Sequence, residues 1–251
     1  MRAFEIMVYR QIKRFLRAKS RVAGMIMTPL VWLTFFGIGW SGAFRETSIF
    51  GGVDYLTYLS PGIFAMAVFN QSFVSGISVI WDREFGFLKE VLVAPASRKE
   101  TIAGRIFGDS VVATLQGAVI LILTLFIAKI NPQGIIPALG VGFVLAVAFS
   151  SFGVSIAAKM RSMEGFQMIM ALVMLPLIFL SGAIYPIEFM PSWMKAIAFI
   201  NPLTYAVEAS RVFLTGVGGI FPLQQSLLIL LTITAVMLYI AMLSFERSSM
   251  E

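Results

Sequence analysis

The sequence predicts an all-α polytopic membrane protein, one membrane domain over residues 1–251, and three observations predict it. Hydrophobic residues fill 59% of the chain and charged residues only 13%, where soluble domains carry about a quarter. Mean hydropathy is +0.90. Six runs each reach the roughly 20 mainly apolar residues that a spanning helix needs, and most of the charge lies between them.

The chain opens with a polar segment, 1–21, that has no small-residue cleavage pattern and so does not read as a cleaved signal peptide. Placed on a helix, its charge and apolarity separate. Arg10, Lys13, Arg14, Arg17 and Arg21 share one flank, and Phe4, Met7, Val8, Ile12, Phe15 and Ala18 the other, with Ile6 and Lys19 as exceptions. This predicts an amphipathic helix lying in the membrane interface against anionic lipid headgroups. A nucleic-acid-binding arm is the competing reading, disfavoured because the apolar residues interleave at helical spacing, so nucleic acid is not an expected partner.

The expected spans are 22–40, 56–80, 106–128, 134–157, 166–184 and 223–244, and Pro29, Pro61 and Pro176 inside them predict kinks. The Lys and Arg count then orients the chain. Fifteen lie in the two termini and the segments 81–105 and 159–161, and four on the other side. Both termini are therefore expected in the cytoplasm.

The stretch Trp81–Arg105, WDREFGFLKEVLVAPASRKETIAGR, is the one long charged segment between two strongly apolar ones. It must sit in water, yet it keeps Phe85, Phe87, Leu88, Val91, Leu92 and Val93. That mixture suits a docking element, the plainer alternative being a solvated loop with a short core-facing helix. The segment 185–216, expected outside, is too apolar for an ordinary loop. Pro186, Pro191 and Pro202 cut it into pieces, of which 192–199 and 203–214 predict short re-entrant helices between spans 5 and 6. Glu208 and Arg211, three apart, are placed to pair on the second piece and to solubilise its exposed face.

Polar residues inside the spans are few. Asn70 and Gln71 fall near the middle of span 2, where a polar group either bonds another helix or faces a water-filled path, and both readings stay open. Asp109, a turn from the boundary of span 3, reads as a boundary carboxylate, hydrated or meeting Arg105 one turn earlier. Gly37, Gly39, Gly42, Gly140 and Gly142 allow close helix approach.

Much chemistry is excluded. The chain has no cysteine and no histidine, which removes disulfides, thiolate metal sites and the commonest general base. No GxxxxGK[ST] run exists to cradle nucleotide phosphates, and Asp109 is the one acid inside any expected span. No catalytic, cofactor-binding or metal site is therefore expected, and an ion-coupled carrier or channel is disfavoured.

Two motifs carry a resemblance: DREFGFLKEVLVAPASR at Asp82–Arg98, and SGAIYPIEFMPSWMKAIAFINPLTYAVEASR at Ser181–Arg211 with its NPLTY core. With the basic N-terminus and six spans, the chain resembles the type-2 permeases of ATP-binding-cassette exporters, especially the daunorubicin-resistance-like branch. The resemblance implies a homodimeric pathway for an amphipathic, drug-like or lipid-like substrate in the plasma membrane. A separate P-loop ATPase subunit would hold ATP and Mg. It implies a coupling helix within Asp82–Arg98, carried by Glu84, Gly86, Phe87, Leu88, Pro95 and Arg98, with the N-terminal helix beside the ATPase. It also implies that Asn201, Pro202, Leu203, Thr204 and Tyr205 belong to helices closing the outer mouth. Export of a polysaccharide or glycolipid by the same architecture is the alternative, and a carrier without an ATPase the second.

Overall fold

A computed structural model of the chain describes residues 3–42, 47–85, 97–160 and 162–248, and every regular element among them is helical. α1 (Ala3–Arg17) leads after one residue into α2 (Lys19–Trp32), which continues through a π-wound turn, Leu33–Ile38, to Ser41. α3 (Tyr55–Val74) and α4 (Ile77–Glu84) are separated by a two-residue break. Then come α5 (Arg98–Thr124), α6 (Ile135–Lys159), α7 (Met163–Phe179), α8 (Ser192–Ile200), α9 (Pro202–Thr215) and α10 (Leu223–Ser248).

The six expected spans divide. Among the described residues four helices can cross a membrane by length and composition: Tyr55–Asp82, Arg98–Thr124, Pro132–Lys159 and Leu223–Ser244. α7 is as apolar but has only 17 residues, because the chain turns at Leu180–Gly182, where Gly182 adopts φ 72°. The first run is helical throughout, with its winding widened one turn after Pro29, a residue that has no N–H to give the preceding turn. Pro61 and Pro176 are also taken into their helices.

α6 is the hub, packed by α3, α5, α9 and α10. Its core is aromatic, with Phe149 on Phe69 at 4.4 Å between ring centres and Phe152 stacked on Phe73 at 5.4 Å. At Gly153 of α6 the Phe73 carbonyl comes so near that a Cβ would sit 2.6 Å from its oxygen. Of the glycines expected at close contacts, Gly37 meets Leu56 and Gly142 meets Phe64, whereas Gly39, Gly42 and Gly140 face open space.

α1 lies along the first half of α5. Gly104 and Gly108, one turn apart, receive it. A Cβ at Gly104 would meet the Phe4 carbonyl oxygen at 2.5 Å, and one at Gly108 the Val8 Cα at 3.1 Å. Part of the apolar flank expected to face lipid is thereby covered by protein: Met7 is buried, and Phe4 packs its ring on Phe107 at 5.5 Å. Leu16, Tyr9 and Ile6 remain exposed.

Two helices take the ends of the charged stretch 81–105: α4 runs to Glu84 and α5 starts at Arg98. Glu84 and Phe85 are exposed and Arg98 half-buried at the edges. Gly86, Phe87, Leu88 and Pro95 lie outside the described residues.

Candidate functional site

Three polar constellations stand out in a chain this apolar. The first joins α1, α4 and α5 beside the charged stretch. Asp82, on the last turn of α4, accepts from Arg10 Nη2 at 2.7 Å on Oδ1 and from Arg10 Nη1 at 3.1 Å on Oδ2. Arg105 Nη1 donates to the same Oδ2 at 2.8 Å, while its Nη2 donates to Ser78 Oγ. The Asp82 and Arg105 side chains keep only 7% and 3% of their exposure, and Arg10 keeps 27%. One residue along α1, Gln11 Nε2 donates to Asp109 Oδ1 at 2.8 Å, and the Arg14 guanidinium lies 5.2 Å from the Trp81 ring centre.

This corrects the expectation for Asp109. It is 7% exposed and bonded to α1, rather than hydrated or hydrogen-bonded to Arg105. The reason is register. Arg105 sits one turn before Asp109 on α5, but its guanidinium turns to α4, where Asp82 and Ser78 offer two acceptors.

The second constellation is a cleft of about 360 Å³ between α2, α3, α5 and α7. Trp32, Ile63, Met66, Val74 and Ile178 form its apolar wall, and Asn70, Gln71 and Gln116 bring three amides to it, with no charged side chain among the described residues that line it. Asn70 is exposed and Gln71 half-buried, and neither side chain bonds another helix among the described residues. Gln71 and Val74 also line a smaller space that reaches Asp109, so the cleft leads toward the clustered charges.

The third lies at the far end of the bundle. Asn201 caps α9 by accepting from Leu203 N at 3.0 Å and donates Nδ2 to the Leu177 carbonyl at 2.8 Å, holding α9 to the end of α7. Pro202 occupies the first turn, where a missing N–H costs nothing. Leu203 and Thr204 are fully buried, and Tyr205 donates its hydroxyl to the Phe199 carbonyl. The NPLTY residues thus build the corner between α8 and α9.

Glu208 and Arg211, expected as an exposed pair, are each 3% exposed and turn to different partners. Glu208 accepts from Ile220 N at 3.2 Å and Phe221 N at 3.0 Å; burial raises its carboxyl above the usual range, against the lowering effect of these two bonds. Arg211 donates to the Gly182 carbonyl at 2.7 Å with its guanidinium 3.9 Å from the Tyr58 ring centre. Backbone groups, the amides at 220 and 221 and the Gly182 carbonyl, thus take the hydrogen bonds of the two charges. Beside them, Phe36, Trp40, Phe50, Tyr55, Tyr185 and Phe189 line an aromatic cavity of about 300 Å³.

Among the described residues no group of three or more His, Cys, Asp or Glu side chains gathers to hold a metal. A sequence model of the family described as ABC-2 type transporter matches residues 2–215. The chain belongs to that family. This ABC-2 permease is 34% identical over 205 residues to the transport permease ycf38 of Cyanophora paradoxa, covering 80% of this chain and 69% of that one. It is 30% identical over 219 residues to the daunorubicin resistance ABC transporter permease protein DrrB1 of Streptomyces coeruleorubidus, covering 84% and 75%. It is a multi-pass membrane subunit of the ABC-transporter type.

Sequence reasoning missed two features of this ABC-2 permease. The Arg10, Asp82 and Arg105 cluster joins residues 72 and 23 apart, which no local pattern announces. The Gly104-x-x-x-Gly108 spacing is the signal in the sequence that marks the second, the seat of α1 on α5.

Proposed function

We propose that two copies of this permease form the membrane pathway of an exporter for an amphipathic, drug-like or lipid-like substrate, powered by a separate P-loop ATPase that carries ATP and Mg. The observation that carries the substrate class is the cleft of Asn70, Gln71 and Gln116 on an apolar wall. Amides without charge can satisfy a few polar atoms of a guest while Trp32, Ile63 and Met66 take its apolar body. The similar Streptomyces permease is named for resistance to daunorubicin, a reading in the same direction. The ATPase would dock on Trp81–Arg105, with Glu84, Gly86, Phe87, Leu88, Pro95 and Arg98 in contact, and the Asn201–Tyr205 corner would belong to the outer closure. The charge asymmetry supports a plasma-membrane orientation with both termini inside.

The aromatic cavity at the far end favours a second reading, export of a polysaccharide or glycolipid, because sugar faces stack on aromatic rings. One experiment separates the two. The permease is purified with the ATPase that accompanies it, and transport per ATP is measured in vesicles for daunorubicin, a fluorescent phospholipid and an undecaprenyl-linked oligosaccharide. With Asn70→Leu and Gln71→Leu together, ATPase recovery should be unchanged and transport of daunorubicin or phospholipid should fall at least severalfold, by analogy with the loss of one or two polar contacts at about 1 kcal/mol each. Transport of the oligosaccharide alone would replace the leading reading with the second, and unaltered transport in the double variant would remove the cleft from the path.

A further inference from the structure

The cluster at the base of α4 has a role beyond holding the fold. We propose that Asp82 is a positioning residue for energy coupling, a clasp that makes α1 and α5 move as one body with the helix that leads into the charged stretch; this rests on the reading of that stretch as the ATPase contact.

Asp82 is two residues before Glu84, on the last turn of α4, directly ahead of the segment on which an ATPase would push. Its carboxylate is shared between two guanidiniums from two other helices, Arg10 of α1 and Arg105 of α5, and α5 is where the chain emerges from the same stretch. Both ends of the stretch are thus tied through one side chain, and α1 is tied with them.

Burial makes the tie stiff. With Asp82 and Arg105 almost wholly out of water, separating them would leave a charge without solvent, so a displacement that keeps the three helices together is favoured over one that parts them. Ser78 Oγ accepts the second Arg105 bond one turn earlier on α4 and fixes the guanidinium's direction as well as its place. α1 has a further hold through Gln11 on Asp109 and the glycine face of α5. Losing Asp82 therefore leaves α1 held to α5 by these contacts and to α4 by Arg14 on the Trp81 ring, so it stays docked at rest but a pull on α4 can part it from α5. The pull of a moving ATPase, rather than the resting fold, exposes the difference.

The absence of native cysteine permits a direct test. Spin labels on cysteines at Glu5 of α1 and Glu100 of α5, both exposed, report the distance between these helices in the complex with its ATPase, without nucleotide and after trapping with ATP, Mg and vanadate. In the wild type the distance should remain one population in both states. In Asp82→Asn the ATPase should be recovered as in the wild type and the resting population should be unchanged, but trapping should add a second, longer one. Asp82→Glu, which keeps the charge between the guanidiniums, should restore a single population. Arg10→Gln, which spares the buried Arg105 pair and serves if Asp82→Asn does not accumulate, should split on trapping as well.

A single unchanged distance after trapping in these variants overturns the proposal. So does a split that is already present without nucleotide and is not rescued by Asp82→Glu, which is what a purely structural role predicts. Recovery of no ATPase with the wild type would instead overturn the coupling reading. The clasp is then decided on the permease alone: the melting-temperature losses of Arg10→Gln and Asp82→Asn should add to more than that of the double variant, and additive losses reject it.

Discussion

At the scale of single residues, close approach and burial decide more than chemical type. Gly104 and Gly140 look alike in the sequence, each a small residue in an apolar helix, yet one receives the backbone of α1 and the other faces open space. Adding side chains at the two kinds of position should therefore have opposite effects. Gly108→Leu should lower stability by about 1 to 3 kcal/mol, the usual cost of overpacking, because Val8 and Gln11 stand against it. Gly140→Ala should be neutral or stabilising by up to about 1 kcal/mol, the helix-propensity difference. Thermal unfolding in detergent measures both, and equal losses would contradict the placement of α1.

At the scale of elements, the short helices α8 and α9 are held by caps and turns rather than by length. Asn201 both starts α9 and ties it to α7 through the Leu177 carbonyl, so one side chain sets the angle between two elements. Asn201→Ala should cost about 1 kcal/mol for the cap and a similar amount for the orphaned carbonyl. Asn201→Asp should recover the cap and not the second bond, giving an intermediate melting temperature. A fall no larger for Ala than for Asp would show that the carbonyl bond alone matters. The same logic explains the short α7: Gly182 reverses the chain at a left-handed φ, and the Gly182 carbonyl then becomes the acceptor for Arg211.

At the scale of the whole molecule, the charge distribution and the helix order make a joint prediction about sidedness. Ser97 precedes α5 next to the α1 cluster and Ser192 begins α8 at the far end, and both are exposed. Single cysteines there, in a chain with none of its own, should differ in reaction with an impermeant thiol reagent on intact cells. Ser192→Cys should label and Ser97→Cys should not until the membrane is opened. Labelling of Ser97→Cys from outside would reverse the proposed orientation and move the ATPase contact to the other end.

Helix content, the apolar runs and the broken segment between the last two of them were legible without coordinates. Each rests on composition within a window of about 20 residues, and the bilayer imposes that window. The short helices expected at 192–199 and 203–214 lie within a residue or two of α8 and α9, because proline punctuates the chain locally. Family membership was legible too, in two contiguous motifs. Asn70 and Gln71 could be singled out as unusual at mid-span, but that they meet in one cleft with Gln116 of α5 and Trp32 of α2 depends on how three helices are packed. Partner choice among charges was the furthest from reach. Local spacing pointed Arg105 to Asp109 and Glu208 to Arg211, whereas folding gives Arg105 to Asp82, Asp109 to Gln11, Glu208 to the backbone at Ile220 and Phe221, and Arg211 to Gly182. A charge withdrawn from water takes whichever partner satisfies it with the best geometry, and in a bundle that partner is supplied by a neighbouring helix or turn whose position only the tertiary structure decides.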